Sequence, residues 1–232
     1  MKSMKKILGI TLIAFILSSC KSDFNFDAYS ADLFLAENVK TPAEMAVEIS
    51  SCTGDSLEES KTEILSLFST GSSAKVVDCV NKGNHSMLVV SLDAVIASVD
   101  EDGQVPDVEG FDLVLVRRVV PDQEIGGKIY EVRGVRPVMN DSFIERVKML
   151  MKQNLQSLTF DDVSLKIILN NDEREDVLVS GRFLWVDGEP FESYSRQKLE
   201  RRQKLELKFS KVVSDLVLRM KAPTVVFVGR LK

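Results

Sequence analysis

Apolar residues recur at every second position in run after run of this chain. Val163, Leu165, Ile167 and Leu169 fall on one face of an extended segment, as do Phe24, Phe26 and Ala28, and Leu205, Leu207 and Phe209. A period of two sends successive side chains to opposite faces, so each run predicts a strand with one buried face. Val177, Val179, Phe183 and Trp185 predict a further strand, with Gly181 placed for a bulge. Residues 43–50, 75–80, 87–99, 111–120, 129–138 and 224–231 are rich in Val, Leu and Ile and predict strands too. Asp187-Gly188 is a hairpin signal, and Pro190 after it weakens the returning strand.

Helical spacing is rarer. Leu57, Ile64, Leu65 and Phe68 predict a helix over 56–69, with Ser56 and Glu59 in a capping-box pattern. Phe143, Val147, Leu150 and Met151 predict a second helix from Asp141-Ser142 to about Asn154, with Glu145 completing another box. Shorter helices are expected over 30–37, ended by Thr41-Pro42, and after Ser210. Strands outnumber helices and arrive in antiparallel-style runs. The expectation is an α+β fold of mostly antiparallel sheet with two or three helices. The helix near 139–157 suggests two subdomains, residues 20–138 and 139–232.

The first residues follow other rules. Lys2, Lys5 and Lys6 precede an uncharged run over residues 7–17. That run is too short for a transmembrane helix, which needs about 20 residues, and suits the core of an export signal. It ends in Leu17-Ser18-Ser19-Cys20, which resembles the lipobox of bacterial lipoproteins at all four positions. The resemblance implies removal of residues 1–19 as a signal peptide and lipidation of Cys20, with the membrane as partner through that lipid. Lys21 rather than aspartate follows the cysteine, which by the same resemblance favours the outer membrane, facing the periplasm.

Without residues 1–19 the chain loses three of its 30 Lys and Arg and none of its 35 Asp and Glu, leaving a net charge of −8. Nucleic acid is therefore not an expected partner, because phosphate neutralisation needs an excess of cations. Export also bears on the cysteines. With Cys20 given to lipid, Cys52 and Cys79 remain in an oxidising compartment, and a structural disulfide is the expected pairing. A metal-binding or reactive pair is the alternative, and it wants more His or Cys than the single His85 supplies.

Other chemistry is thin. Asp100, Asp102 and Asp107 flank Gly103 but miss the calcium-loop spacing at Gln104. His85 could act as a general base, which needs a nucleophile or acid held within reach, but in the polar turn Lys82-Gly83-Asn84-His85-Ser86 a solvated loop residue is the plainer expectation. No GxSxG, HExxH or phosphate-loop pattern occurs, so neither an enzyme nor a cofactor is expected. Arg196, Lys198, Arg201, Arg202 and Lys204 form a basic stretch in an acidic chain, a candidate for contact with an anionic surface such as lipid headgroups or lipopolysaccharide phosphates. Charge on a sheet edge is the plainer explanation.

The lipobox, the Cys pair and three C-terminal segments together are similar to a group of lipoproteins from enteric bacteria, their phages and prophages. The segments are Leu169-Asn170-Asn171-Asp172, Val186-Asp187-Gly188-Glu189-Pro190 and Leu199-Glu200-Arg201-Arg202. The expected function is a non-enzymatic binding protein of the cell envelope that meets an envelope or outer-membrane protein. The alternative implied by the phage members is exclusion of competing phages, by blocking an outer-membrane receptor or DNA entry.

Overall fold

The computed structural model describes residues 22–83, 85–99, 108–153, 163–192, 195–218 and 226–232. Thirteen strands join one mixed sheet in the order β10-β9-β12-β7-β1-β2-β4-β5-β6-β13-β8-β11, with β3 also on β4. The strands are β1 (Ser22–Tyr29), β2 (Val39–Ile49), β3 (Lys75–Lys82), β4 (His85–Ser98), β5 (Leu113–Ile125), β6 (Lys128–Met139), β7 (Val163–Asn170), β8 (Val177–Gly181), β9 (Leu184–Val186), β10 (Glu189–Pro190), β11 (Arg196–Leu199), β12 (Lys204–Phe209) and β13 (Val226–Leu231). Among the described residues three α-helices accompany them: α1 (Asp55–Leu65), α2 (Asp141–Gln153) and α3 (Lys211–Leu218).

The expected α+β class is overturned, and the protein is predominantly β. Helices form near the expected places, but they are too short to make a layer. The sheet covers its own apolar face instead. β8 and β9 lie near opposite ends of the strand order, yet only Arg182 and Phe183 separate them in sequence. Two intervening residues span at most about 11 Å, so the sheet must curl until its ends nearly meet. The result is a half-barrel with two wings facing each other. Their inner residues, among them Phe26, Leu88, Leu115, Ile167, Val179 and Val228, form one core. Strands on either side of residue 138 interleave in it: β1 pairs with β7, and β6 with β13.

Most pairs are antiparallel, but β1–β7 and β4–β5 are parallel. β4 carries β2 along one edge, and β3 and β5 in succession along the other. Pro42, expected from the sequence to end a helix, and Pro121 lie inside strands. Pro42 of β2 sits opposite Asp93, just past the last β1–β2 pair, where a missing N–H costs no ladder bond on that side. Pro121 sits at a register shift in β5. Asp187 and Gly188 turn the β9–β10 hairpin with φ of 48° and 88°, as a two-residue turn of this type requires. The expected capping box at Ser56 is absent: Gly54 caps α1, and the Ser56 hydroxyl donates to the Thr53 carbonyl.

The ends of the half-barrel are tied differently. At the lower end, Asp112 is buried and accepts from the Ser69 amide and hydroxyl and from Arg146. Arg146 also donates to the Leu67 carbonyl, joining the end of α1 to α2. Phe68 and Phe143 meet there at 5.5 Å. At the upper end the 3-10 turn Ala31–Phe34 is clamped by buried Arg117, which donates to the Asp32 and Glu37 carbonyls and to the Ser98 hydroxyl. One outer patch is also buried. Val95, Ala97, Val114, Val116 and Val138 lie under Val99, Val108 and Phe111. This accounts for the apolar residues on both faces of β5.

Candidate functional site

The expected site residues fall in different places. Cys20 and the acidic stretch 100–107 lie outside the described residues. Cys52 and Cys79 are disulfide-bonded, tying the segment after β2 to β3. His85 opens β4, exposed, with Nδ1 2.5 Å from Glu48. The basic stretch is divided. Arg196 and Lys198 stand on β11, Arg201 and Arg202 in an exposed turn, and Lys204 on β12 in the other wing. Lys198 is 2.6 Å from Asp176, which keeps the Asp176 carboxyl below its ordinary value. Arg196 alone of these faces a depression.

That depression lies on the outer face of the β5-β6-β13-β8-β11 wing. Register builds it: Arg118 is opposite Gly134, Gly134 opposite Phe227, Phe227 opposite Ser180, and Ser180 opposite Arg196. Residues opposed across a ladder share a face, so this is one row across five strands. Glycine at its second position leaves Phe227 uncovered as a floor. Ser180, Arg196 and Phe227 of this row, with Gln123, Gly181 and Arg182, line a groove of about 210 Å³, and Arg118 and Gly134 continue the row beside it. Tyr130, Leu178 and Gly229 line a shallow extension beside it.

The electrostatics are one-sided. No carboxylate lines the groove, and among the described residues none pairs with Arg118 or Arg196. Arg136 stands on the same face, and burial together with the Arg118 charge lowers its pKa. Guanidinium groups gathered without an acid lining the space between them favour an anion, which their planar forks hold bidentately. The upper-end cluster behaves oppositely. Arg230 reaches Glu131 at 2.8 Å and Glu173 at 3.2 Å, Arg133 reaches Glu131 at 2.5 Å, and both cations stack on Phe34. Its charges are consumed internally, so it staples the wings together. Among the described residues no three His, Cys, Asp or Glu side chains gather to hold a metal.

Apart from Arg196, the sequence reading missed this groove. Its residues come from five strands far apart in the chain, and only their outward parity was legible. The arrangement defines a curled β-sheet protein with a cationic groove on one outer face. Residues 123–231 match a domain of unknown function (DUF7424), and every lining residue of the groove falls within that span. No curated protein and no solved structure is significantly similar to the chain.

Proposed function

We propose that this protein is a lipid-anchored, non-enzymatic binding protein of the cell envelope, and that its outer-face groove holds a small anionic group on another envelope molecule. The anchor rests on Lys2, Lys5, Lys6, the uncharged run and the Leu17-Ser18-Ser19-Cys20 motif. The observation that carries the binding reading is the acid-free groove that Arg182 and Arg196 line together with Phe227. The groove is smaller than the roughly 300–1,000 Å³ of drug-sized sites, so it suits a phosphate or carboxylate group rather than a whole organic ligand.

Titration calorimetry of the full-length protein in detergent, with inorganic pyrophosphate as probe, tests the groove. Binding weakened about tenfold by Arg196→Ala, and further by added salt, is the expected result. Equal affinity in an Arg182→Ala/Arg196→Ala variant, or no heat in either protein, overturns it. Radiolabelled palmitate tests the anchor separately: label is expected on the unaltered chain and lost in Cys20→Ala.

A further inference from the structure

β1 begins at Ser22, opposite Val47 on β2 and level with Val163 on β7. Only Lys21 separates Ser22 from Cys20, a reach of about 7 Å when extended. On the next strand, β12, Lys208 lies opposite Lys166, so Phe209 and Ser210 lie toward this same end. Phe209 is opposite Leu184 of β9, and the Ser210 amide donates to the Phe183 carbonyl at 3.0 Å. Phe183 is thus at the Ser22 end, three strand spacings or about 14 Å away.

This rim carries large apolar side chains that the core does not use. Phe183 is 62% exposed, Trp185 43% and Val212, at the start of α3, 72%. Lys208 lies directly across from Trp185, and Lys211 opens α3. Phe183 also has a φ of 57°, a backbone that suits glycine and is unfavourable for a bulky residue. An exposed phenylalanine in that conformation helps neither packing nor the backbone, which marks its side chain as serving something outside the fold. Acidic residues also stand at this end: Asp23 on β1, Glu192 just after Phe191, whose amide bonds to Leu184, and, on the far side of β1, Asp55 and Glu58 in the first turn of α1.

We infer that the β9–β12 rim faces the bilayer and takes anionic lipid headgroups. Phe183, Trp185 and Val212 enter the boundary between headgroups and acyl chains, and Lys208 and Lys211 meet lipid phosphates. Aromatic and basic side chains together make the usual composition of such a surface. The acidic start of α1 is repelled by the same phosphates, so the body leans onto its β9–β12 side. The inference rests on the lipid-anchor reading, since Cys20 places this end at the membrane.

Trp185 is the single tryptophan of the chain and reports its own surroundings. The full-length lipidated protein is reconstituted in phosphatidylethanolamine–phosphatidylglycerol vesicles whose acyl chains are brominated near the headgroup. Flotation and Trp185 fluorescence are read on one sample. The expected result is flotation with strong quenching, reduced by about half or more in Phe183→Gly and in Lys208→Glu/Lys211→Glu. Flotation with unquenched Trp185 leaves the anchor standing and overturns the rim, and a blue shift without quenching overturns it too, by giving the rim to contact between copies of this chain. Failure to float removes the anchor and the rim together. Phe183→Gly should keep or raise the urea midpoint; a lower midpoint would make Phe183 a residue of the fold and also overturn the inference.

Discussion

Asn171 makes six hydrogen bonds from a site that is 1% exposed. Its side-chain oxygen accepts from the Ser30 hydroxyl and the Glu173 amide, and its amide donates to the Glu175 and Leu199 carbonyls. Its backbone bonds to Gln203 and Arg202. Three segments crossing at the upper end are thereby held by one amide. Asn171→Leu strands buried polar groups on all of them and should cost about 3 kcal/mol or more in urea unfolding. A loss below about 1 kcal/mol would mean that water satisfies the site. Glu131 governs the same end through pH. Burial alone would raise its carboxyl, but hydrogen bonds from Arg230 and Arg133 bring it below the ordinary 4.5. A depressed carboxyl stabilises the fold above its unfolded value, and that contribution is lost as pH falls through the folded value. Asp32 opposes it: burial and then Asp172 raise its carboxyl, so it favours the fold only while protonated. Glu131→Gln should therefore lose stability at neutral pH and lose less on acidification below 4.5, as read from urea midpoints at both pH values. An unchanged acid response would remove Glu131 from the account.

Strands are legible in the sequence and their neighbours are not. Val163, Leu165, Ile167 and Leu169 announce β7 through a period of two, and Asp187-Gly188 announces the β9–β10 turn. Nothing local in β7 says that it lies parallel to β1, because its partner is more than a hundred residues away and complements only its inner face. Helical spacing locates the helices but gives them too much weight. Phe143 and Val147 do pack inward from α2, yet the covering layer that such a face calls for is supplied by the opposite wing. The groove shares this fate, since Arg196 and Phe227 are brought together by successive pairings with β8 that no spacing records. The Cys52–Cys79 bond is legible from the count of cysteines and is present. It closes 27 residues of sequence, including α1. Breaking it should cost about 3–4 kcal/mol by loop entropy, seen as a lower urea midpoint after reduction. An unchanged midpoint would show that α1 and β3 hold their places without it.

The order of strands in space does not follow the order in sequence. Strands from residues 22–125 fill the middle of the sheet, and strands from 128–231 supply both flanks. Neither group can complete a barrel alone. A chain that crosses a membrane from its amino end would deliver the middle first. Until the rest arrives, β1 waits for β7 and β5 waits for β6, each presenting a bare row of peptide groups. Such edges recruit other strands indiscriminately. A truncation after residue 125 should therefore give aggregates rather than a smaller folded body, visible as loss of soluble protein on sedimentation. A soluble, cooperatively unfolding fragment would show that the flanks are dispensable. The interleaving thus makes the period between emergence and completion the vulnerable one. A cell that makes this protein must shelter two adhesive borders until the last strand is delivered.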